Sequence, residues 1–285
     1  MAERKLPRIV IFGATGRLGR LLGRRFHEAG HPTVSVGRNP ETLAELPGEQ
    51  AVFDLDGPRG QAISIHAGDI VINTVHARYT STIAALCPDK IERLIVIGSA
   101  RYLSRFPDVK ADEVRTAAQT LDQSNLPWVL LHPTMIYGAA GENNVQRMAA
   151  LIKRFHIVPL PDGGRALIQP IHVNDVVEAV VRASTKPGLH RAVIHLGGPE
   201  AVPYRAFLQA IADASGSWVK VPPLPVSLLR LAARLSALVP GIPTIKDAEV
   251  LRLREDKAVD VNEMKDVLGI TPRPLKQGLA ETIAK

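Results

Sequence analysis

Near the start of the chain, Gly13-Ala14-Thr15-Gly16-Arg17-Leu18-Gly19 has the residue types and spacing to hold a phosphate. It follows the apolar run Arg8-Ile9-Val10-Ile11-Phe12 and opens a helical stretch, and this order of strand, turn and helix gives a three-glycine pattern its meaning. Gly13 permits a tight turn, Gly16 lets the backbone approach a pyrophosphate, Gly19 lets the helix pack closely, and the helix N-terminus offers N–H donors. The implied ligand is a dinucleotide, the alternative being a glycine turn that binds nothing. A site selective for NAD ends its second strand with a carboxylate toward the ribose hydroxyls, but here that place holds Gly37-Arg38-Asn39-Pro40. The Arg38 guanidinium, joined by Arg17, suits a 2′-phosphate, so the expected cofactor is NADP(H); the plainer reading of Arg38 is a solvated strand-end charge. Asp54 and Leu55 fall where an adenine would lie. Asn73-Thr74-Val75-His76 falls beneath the pyrophosphate and nicotinamide ribose, because ligands bind at the carboxyl ends of parallel strands. Thr74 reads equally well as a strand-end filler.

Positioning these residues requires a layered fold. Short apolar runs at Arg8 to Phe12, Thr33 to Gly37, Gln50 to Leu55, Asp69 to Val75, Arg93 to Gly98 and Trp128 to His132 alternate with helical stretches. That rhythm predicts a doubly wound parallel α/β sheet, and the near-continuous Ile, Val and Leu predict helices on both faces. Helices are expected over Gly16 to Ala29 with Gly30 as the stop, from about Asp108 to Ser124, and from Asn143 to Phe155. Beyond a loop rich in Pro and Gly, Asn174-Asp175 is expected to cap a helix reaching Ser184, with a strand at Ala192 to Leu196 and a helix at Tyr204 to Ser215. From Pro222 the texture changes to Pro-bounded helices at Val226 to Leu238, Lys246 to Arg254, Asn262 to Leu268 and after Pro274. The expected division is a nucleotide-binding Rossmann domain over 1–220, with substrate-region insertions from about 133, and a small, mostly helical lobe over 221–285.

Four patches carry a family resemblance: the glycine turn, Leu131-His132-Pro133-Thr134-Met135-Ile136-Tyr137-Gly138, Ile168-Gln169-Pro170-Ile171-His172-Val173-Asn174-Asp175-Val176, and Leu196-Gly197-Gly198-Pro199-Glu200. Together they resemble the short-chain dehydrogenase/reductase superfamily, in its extended or atypical branches that include the NAD-dependent epimerase/dehydratase and complex I assembly-type sequences. His132 stands where those sequences carry Arg, and His132 and Pro133 are counted with the cofactor-binding residues. The resemblance implies a Tyr-x-x-x-Lys pair on the helix after the fifth strand, with a Ser or Thr at that strand's end, the Tyr serving as general acid or base. The nearest match is Phe106-Pro107-Asp108-Val109-Lys110, and counting back from Leu126 instead sets Glu113 or Val114 at the lysine position. Neither register supplies the Tyr. Ser99 or Ala100 would take the serine place. Tyr102, His76, His132 and Tyr137 lie on the same rim as substitutes, His132 being expected to titrate near neutral pH. Ser99, Tyr102, Lys110 and His76 are the candidate catalytic residues, each weighed against a packing role.

His27-Glu28-Ala29-Gly30-His31 matches a zinc-protease pattern, but Gly30 is expected to end the helix before His31, so no metal site is assigned. The stretch Val226 to Leu238 has helical apolar spacing and reads as a core-facing helix, or a membrane-surface or partner helix. Arg165 lies near the expected substrate mouth, either holding an anion or simply solvated. Composition adds boundaries. The 285 residues, 46% of them hydrophobic, can bury a core without staples, and Cys87 is the single cysteine. With no signal-peptide pattern and no membrane-length apolar run, the chain is expected to be cytoplasmic and to lack an integral membrane span. The net charge of +7 is scattered and aromatics make up 4%, which argues against nucleic acid as partner. The leading expectation is an NADP(H)-binding oxidoreductase acting on a small carbonyl or alcohol as monomer or homodimer. The alternatives are a nucleotide-sugar epimerase or dehydratase, and a noncatalytic NADP(H) sensor or assembly protein.

Overall fold

A computed structural model of the chain describes residues 6–57, 63–106, 108–139, 144–230 and 247–283. Its centre is a seven-stranded parallel sheet built from β1 (Ile9–Phe12), β2 (Thr33–Gly37), β3 (Glu49–Val52), β4 (Ile70–Asn73), β5 (Arg93–Ile97), β6 (Trp128–Pro133) and, late in the chain, Ala192–Leu196. The intervening helices are α1 (Arg17–Glu28), α2 (Pro40–Ala44), α3 (Thr80–Leu86) and α4 (Val109–Gln123). Then come β7 (Ile136–Tyr137), α5 (Asn144–Phe155), β8 (Leu167–Ile168), β9 (Ile171–His172) and α6 (Val173–Thr185). The late strand is β10, followed by β11 (Val202–Pro203), α7 (Tyr204–Ala214), α8 (Asp247–Arg252), α9 (Asn262–Asp266) and α10 (Leu275–Ile283).

The strand order is β10-β6-β5-β4-β1-β2-β3. The chain therefore leaves β1 toward β3, then returns to the other side of β1 as β4, with Ile9 facing Thr33 on one edge and Ile70 on the other. The order reverses at β1, and the carboxyl end of such a switch point is where sheets of this kind take their ligands. Strand alternation explains the two cores. Ile9 and Ile11 join a cluster with Leu22 and Phe26 of α1 and Val176 and Val180 of α6, whereas Val10 and Phe12 face Ile83 of α3 and Leu121 of α4. Helix α1 buries Gly19, Leu22, Gly23 and Phe26, a spacing that keeps one face on the sheet.

A third cluster gathers Tyr137, Val145 and Ile152, Phe207 and Ile211 of α7 and Leu279 of α10. The C-terminal helices thus serve two cores, since Met264 of α9 joins the α1/α6 face of the sheet. Among the described residues no helix is long and apolar enough to cross a membrane. The expected helix over Val226 to Leu238 lies outside the described residues from 231 onward, as do Lys246 and Pro107.

Some expected boundaries shift. The third strand ends at Val52, where its ladder with β2 ends at Gly37, so Asp54 and Leu55 lie in the following turn. Helix α6 begins at Val173, at least two residues earlier than an Asn174 or Asp175 cap would set it, and its N-cap is His172, whose Nδ1 accepts from the Asn174 amide at 3.2 Å. Asp175 is not a cap, because its carboxylate accepts from the Arg273 amide and Nε, both at 3.0 Å. Helix α1 stops at Glu28 and Gly30 takes φ +84°, so His27 and His31 do not share a helical face; His31 is buried with Nδ1 2.9 Å from the Pro7 carbonyl.

Candidate functional site

The glycine turn is held by backbone. The Gly13 and Ala14 amides both donate to the Val36 carbonyl at 3.1 Å, and Gly16 donates back to Gly13 at 2.9 Å. Gly13 takes φ +80°, with the Val75 side chain and Thr74 hydroxyl pressed where a Cβ would go. Gly19 packs on the turn itself: a Cβ there would overlap the Gly13 oxygen and stand 2.8 Å from the Ala14 Cα. Gly16 is exposed and caps α1 without any side-chain hydrogen bond, and the first turn of α1 holds no acidic residue. The first amides of the helix therefore lack acceptors within the helix, in a positively polarised position that fits a pyrophosphate.

Around this turn the expected cofactor residues gather at the carboxyl edge. Leu18 packs into the first core, while Thr15 fixes the turn, accepting the Arg20 Nε at 3.0 Å through its carbonyl. The turn meets the end of β2, since a Cβ on Gly37 would stand 3.3 Å from Thr15 Cγ2. Arg38 follows, and both it and Arg17 are exposed. Asp54 accepts from the Asp56 amide at 3.1 Å, and the Tyr79 hydroxyl donates to Asp56, tying the loop after β3 to the one after β4. Leu55 packs against the second core. The Thr74 hydroxyl donates to the Phe12 carbonyl at 2.8 Å, fastening the exit of β4 to that of β1, and the Val75 amide donates to Asn73 Oδ1 at 3.0 Å. His76 Nδ1 stands 3.0 Å from Glu113 Oε2 on α4, outside hydrogen-bond geometry, so the pair is ionic only when the imidazole is protonated.

A second group forms where β5, β6 and β10 end. His132 and His195 face one another across the β6–β10 ladder and share a face of the sheet. The Tyr102 ring stacks on His132 with centroids 4.4 Å apart, and its hydroxyl lies 2.7 Å from His195 Nε2. Ser99 donates its amide to His132 Nδ1 at 3.1 Å, which leaves Nε2 carrying the ring proton of the neutral imidazole. Burial, then the neighbouring His195, push His132 down to about 4, which corrects the expectation that it titrates near neutral pH. Burial also raises Tyr102 above its ordinary 10.0. Gly98 makes room for the group, since a Cβ there would stand 2.5 Å from His132 Nδ1.

Helix α4 holds Tyr102 in place. Arg115 donates to the Tyr102 carbonyl from Nε at 3.0 Å and from Nη2 at 2.6 Å, and the Ser99 hydroxyl accepts from the Arg101 amide at 3.1 Å. The structure thus brings together Ser99, Tyr102 and His132, seats His76 against Glu113, and leaves Lys110 exposed on the first turn of α4. Pro133 closes β6 opposite Leu196, and Tyr137 is buried in the third core, its hydroxyl pushed well above its ordinary range by burial. Sequence reasoning missed His195. Its signal was a histidine one residue before a strand's end, the place His132 also holds.

Comparison with known proteins agrees with this geometry. Residues 13–156 match a family model described as NAD(P)H-binding. The chloroplast stem-loop binding protein of 41 kDa b from Arabidopsis thaliana is 26% identical over 73% of this chain, which spans 63% of that relative's length. Among solved structures, the human epimerase family protein SDR39U1 with NADPH superposes with a TM-score of 0.73 at 15% identity, covering 98% of this chain and 99% of that one. MoeE5 in complex with UDP-glucuronic acid and NAD gives 0.69 at 19% identity, also over 98% of both. These likenesses establish the Rossmann-like fold.

Proposed function

The chain belongs to the NAD(P)H-binding family, with structural neighbours in the NAD-dependent epimerase/dehydratase and atypical short-chain dehydrogenase/reductase group, and from that premise we propose an NADP(H)-dependent oxidoreductase acting on a small carbonyl or alcohol. The choice of NADP(H) is supported by exposed Arg38 and Arg17 at the edge where a 2′-phosphate would project, with no carboxylate ending β2. Bound NADPH would supply the hydride. The protein's share is to orient the substrate at the carboxyl edge and deliver a proton to its oxygen.

The observation that carries this reading is the Tyr102 hydroxyl 2.7 Å from His195 Nε2. Tyr102 would give its proton to the carbonyl oxygen as negative charge develops there. His195, half-buried, would return a proton from solvent to Tyr102. His132, held neutral with its Nε2 proton, would keep the Tyr102 ring in register by stacking. Ser99 orients His132, and His76 with Glu113 borders the nicotinamide side. We read the protein as a cytoplasmic monomer or homodimer. A noncatalytic sensor is the second reading, favoured by exposed Lys110 and buried Val114, which offer no Tyr-x-x-x-Lys pair.

The test is NADPH oxidation against a panel of small aldehydes and ketones, with calorimetric NADPH binding as control. Tyr102→Phe is expected to bind NADPH as the natural chain does and to lose about a hundredfold or more in turnover. Turnover unchanged in Tyr102→Phe refutes the proton role, and NADPH binding without turnover of any substrate turns the reading to the sensor.

A further inference from the structure

Where α5 ends, the chain enters a ribbon of two short extended segments. His156 takes φ +56°, in the left-handed region, directly after α5, and Ile157 then forms a parallel bridge with Lys220, as Leu160 does with Pro223. The Lys220 amide donates to the His156 carbonyl at 2.8 Å, and the Val158 amide donates to the Lys220 carbonyl at 2.9 Å. Side chains alternate across such a ribbon. Val158, Leu160, Val219 and Val221 pack on the third core, so Ile157 and Pro159 on one segment, and Trp218, Lys220 and Pro222 on the other, face outward and are exposed. Phe155, the last residue of α5, is exposed beside them.

The outward rings are fixed and each carries a cation. Trp218 lies flat on His156, with centroids 4.5 Å apart and planes 8° from parallel, and His156 Nδ1 is 3.2 Å from the Trp218 carbonyl. Lys220 Nζ stands 5.9 Å from the centroid of the same indole, and Arg154 Cζ lies 5.0 Å from that of Phe155. Exposed apolar side chains gathered in one place mark a surface that meets a partner. Charge decides which partner. Neither 143–161 nor 214–230 contains an Asp or Glu, whereas the two segments bring Lys153, Arg154 and Lys220. Lysine is depleted at protein–protein contacts. Aromatic and aliphatic anchors ringed by Lys and Arg instead suit the boundary between lipid headgroups and acyl chains, where the rings enter and the cations stay at the anionic surface.

We propose that this ribbon is a peripheral docking surface for an anionic lipid bilayer. Trp218, Phe155 and Ile157 enter the headgroup boundary, and Lys153, Arg154 and Lys220 pair with anionic headgroups. Little ordering is required on docking, because the indole is already stacked and the two segments are already bridged. The proposal goes beyond the oxidoreductase reading and does not depend on it, since none of these residues is among those assigned to the cofactor or to the Tyr102 group.

The test is co-sedimentation of the full chain with vesicles of phosphatidylcholine alone and of phosphatidylcholine mixed with phosphatidylglycerol, read together with tryptophan fluorescence. Trp128 is 4% exposed and Trp218 52%, and the chain has only these two tryptophans, so a change on docking reports Trp218. The natural chain is expected to bind the mixed vesicles with a blue shift, less tightly as salt rises, and to leave pure phosphatidylcholine unbound. The triple variant Lys153→Gln, Arg154→Gln, Lys220→Gln is expected to bind about a hundredfold more weakly, the product of roughly fivefold for each cation. Ile157→Ser, which keeps the reporter, should lose about tenfold. Arg24, Lys90 and Lys186 are exposed elsewhere, and replacing all three by Gln removes the same charge while leaving binding nearly unchanged. Thermal unfolding reports that each variant is folded. No binding to the mixed vesicles, equal binding to both compositions, binding without a blue shift, or equal losses in the two triple variants overturns the proposal. Failure of iodide to quench Trp218 in the free natural chain also overturns it, because the chain itself or a second copy would then already cover this face.

Discussion

Replacing Gly19 by Ala separates the architecture of the phosphate turn from its chemistry. Position 19 is inside α1, where Ala is favoured over Gly by about 1 kcal/mol. The added Cβ, however, would overlap the Gly13 oxygen and stand 2.8 Å from the Ala14 Cα, more than half an ångström inside the ordinary 3.4 Å limit. Both obstacles are backbone, and that backbone is tied to Val36, so no side-chain rotation relieves the clash. Overpacking of this kind costs about 3 kcal/mol at its upper end. The net loss is then about 2 kcal/mol, a fall in Tm of roughly 4–8 °C for a chain near this size. Gly16→Ala is the comparison, because its Cβ would meet only the Gly13 oxygen, at 3.1 Å, and would otherwise project from an exposed position. It should leave Tm nearly unchanged while weakening NADPH, since the new methyl stands where the pyrophosphate must approach the amides. Thermal unfolding and calorimetric titration of the two variants give the answer. A Gly16→Ala protein that binds NADPH as the natural chain does would refute the assignment of this turn to the pyrophosphate.

Two further perturbations probe the edges of the site. Arg38→Ala should weaken NADPH about ten- to a hundredfold, the worth of charge-assisted bonds to one phosphate, and leave NADH nearly unaffected; equal losses for both would remove the 2′-phosphate role. His132, held at about 4 against an ordinary 6.5, binds its proton more readily in the unfolded chain. Its contribution to stability is therefore complete above about pH 6.5 and is lost as pH falls toward 4, by up to about 3 kcal/mol. Urea unfolding across that range should give a shallower pH slope in His132→Asn, whose oxygen can still accept from Ser99; identical slopes would contradict the burial argument.

Local patterns in the sequence carried over well into the structure, and long-range pairings did not. The glycine turn reads correctly because strand, turn and helix are contiguous, and the strand expected at Ala192 to Leu196 has the same bounds in the sheet. The start of α6 was misread because Asn174 and Asp175 are good capping residues in isolation, whereas Asp175 is claimed by Arg273, 98 residues away. The titration of His132 was misread for a similar reason. An imidazole on a strand end looks accessible in sequence, and only the order β10-β6-β5 buries it between Gly98 and His195. The bond between Tyr102 and His195 spans 93 residues and has no local signature.

The missing Tyr-x-x-x-Lys pair and the Tyr102 cluster are linked by packing. Val114, at the lysine position of one register, is 4% exposed and sits with Ala77 and Ala117 in a small apolar cluster against which Tyr102 packs. A lysine at 114 would carry its charge into that cluster, beneath the Tyr102 ring, where desolvation disfavours it. The apolar face of α4 and the aromatic residue it supports are therefore mutually consistent: having Val114 there lets Tyr102 lie against the helix and extend its hydroxyl to His195 on the far side of β6. Arg115, the next residue on α4, completes the arrangement by holding the Tyr102 carbonyl. In the proposed mechanism the proton-handling group lies on the turn before the helix, and its partner on a distant strand.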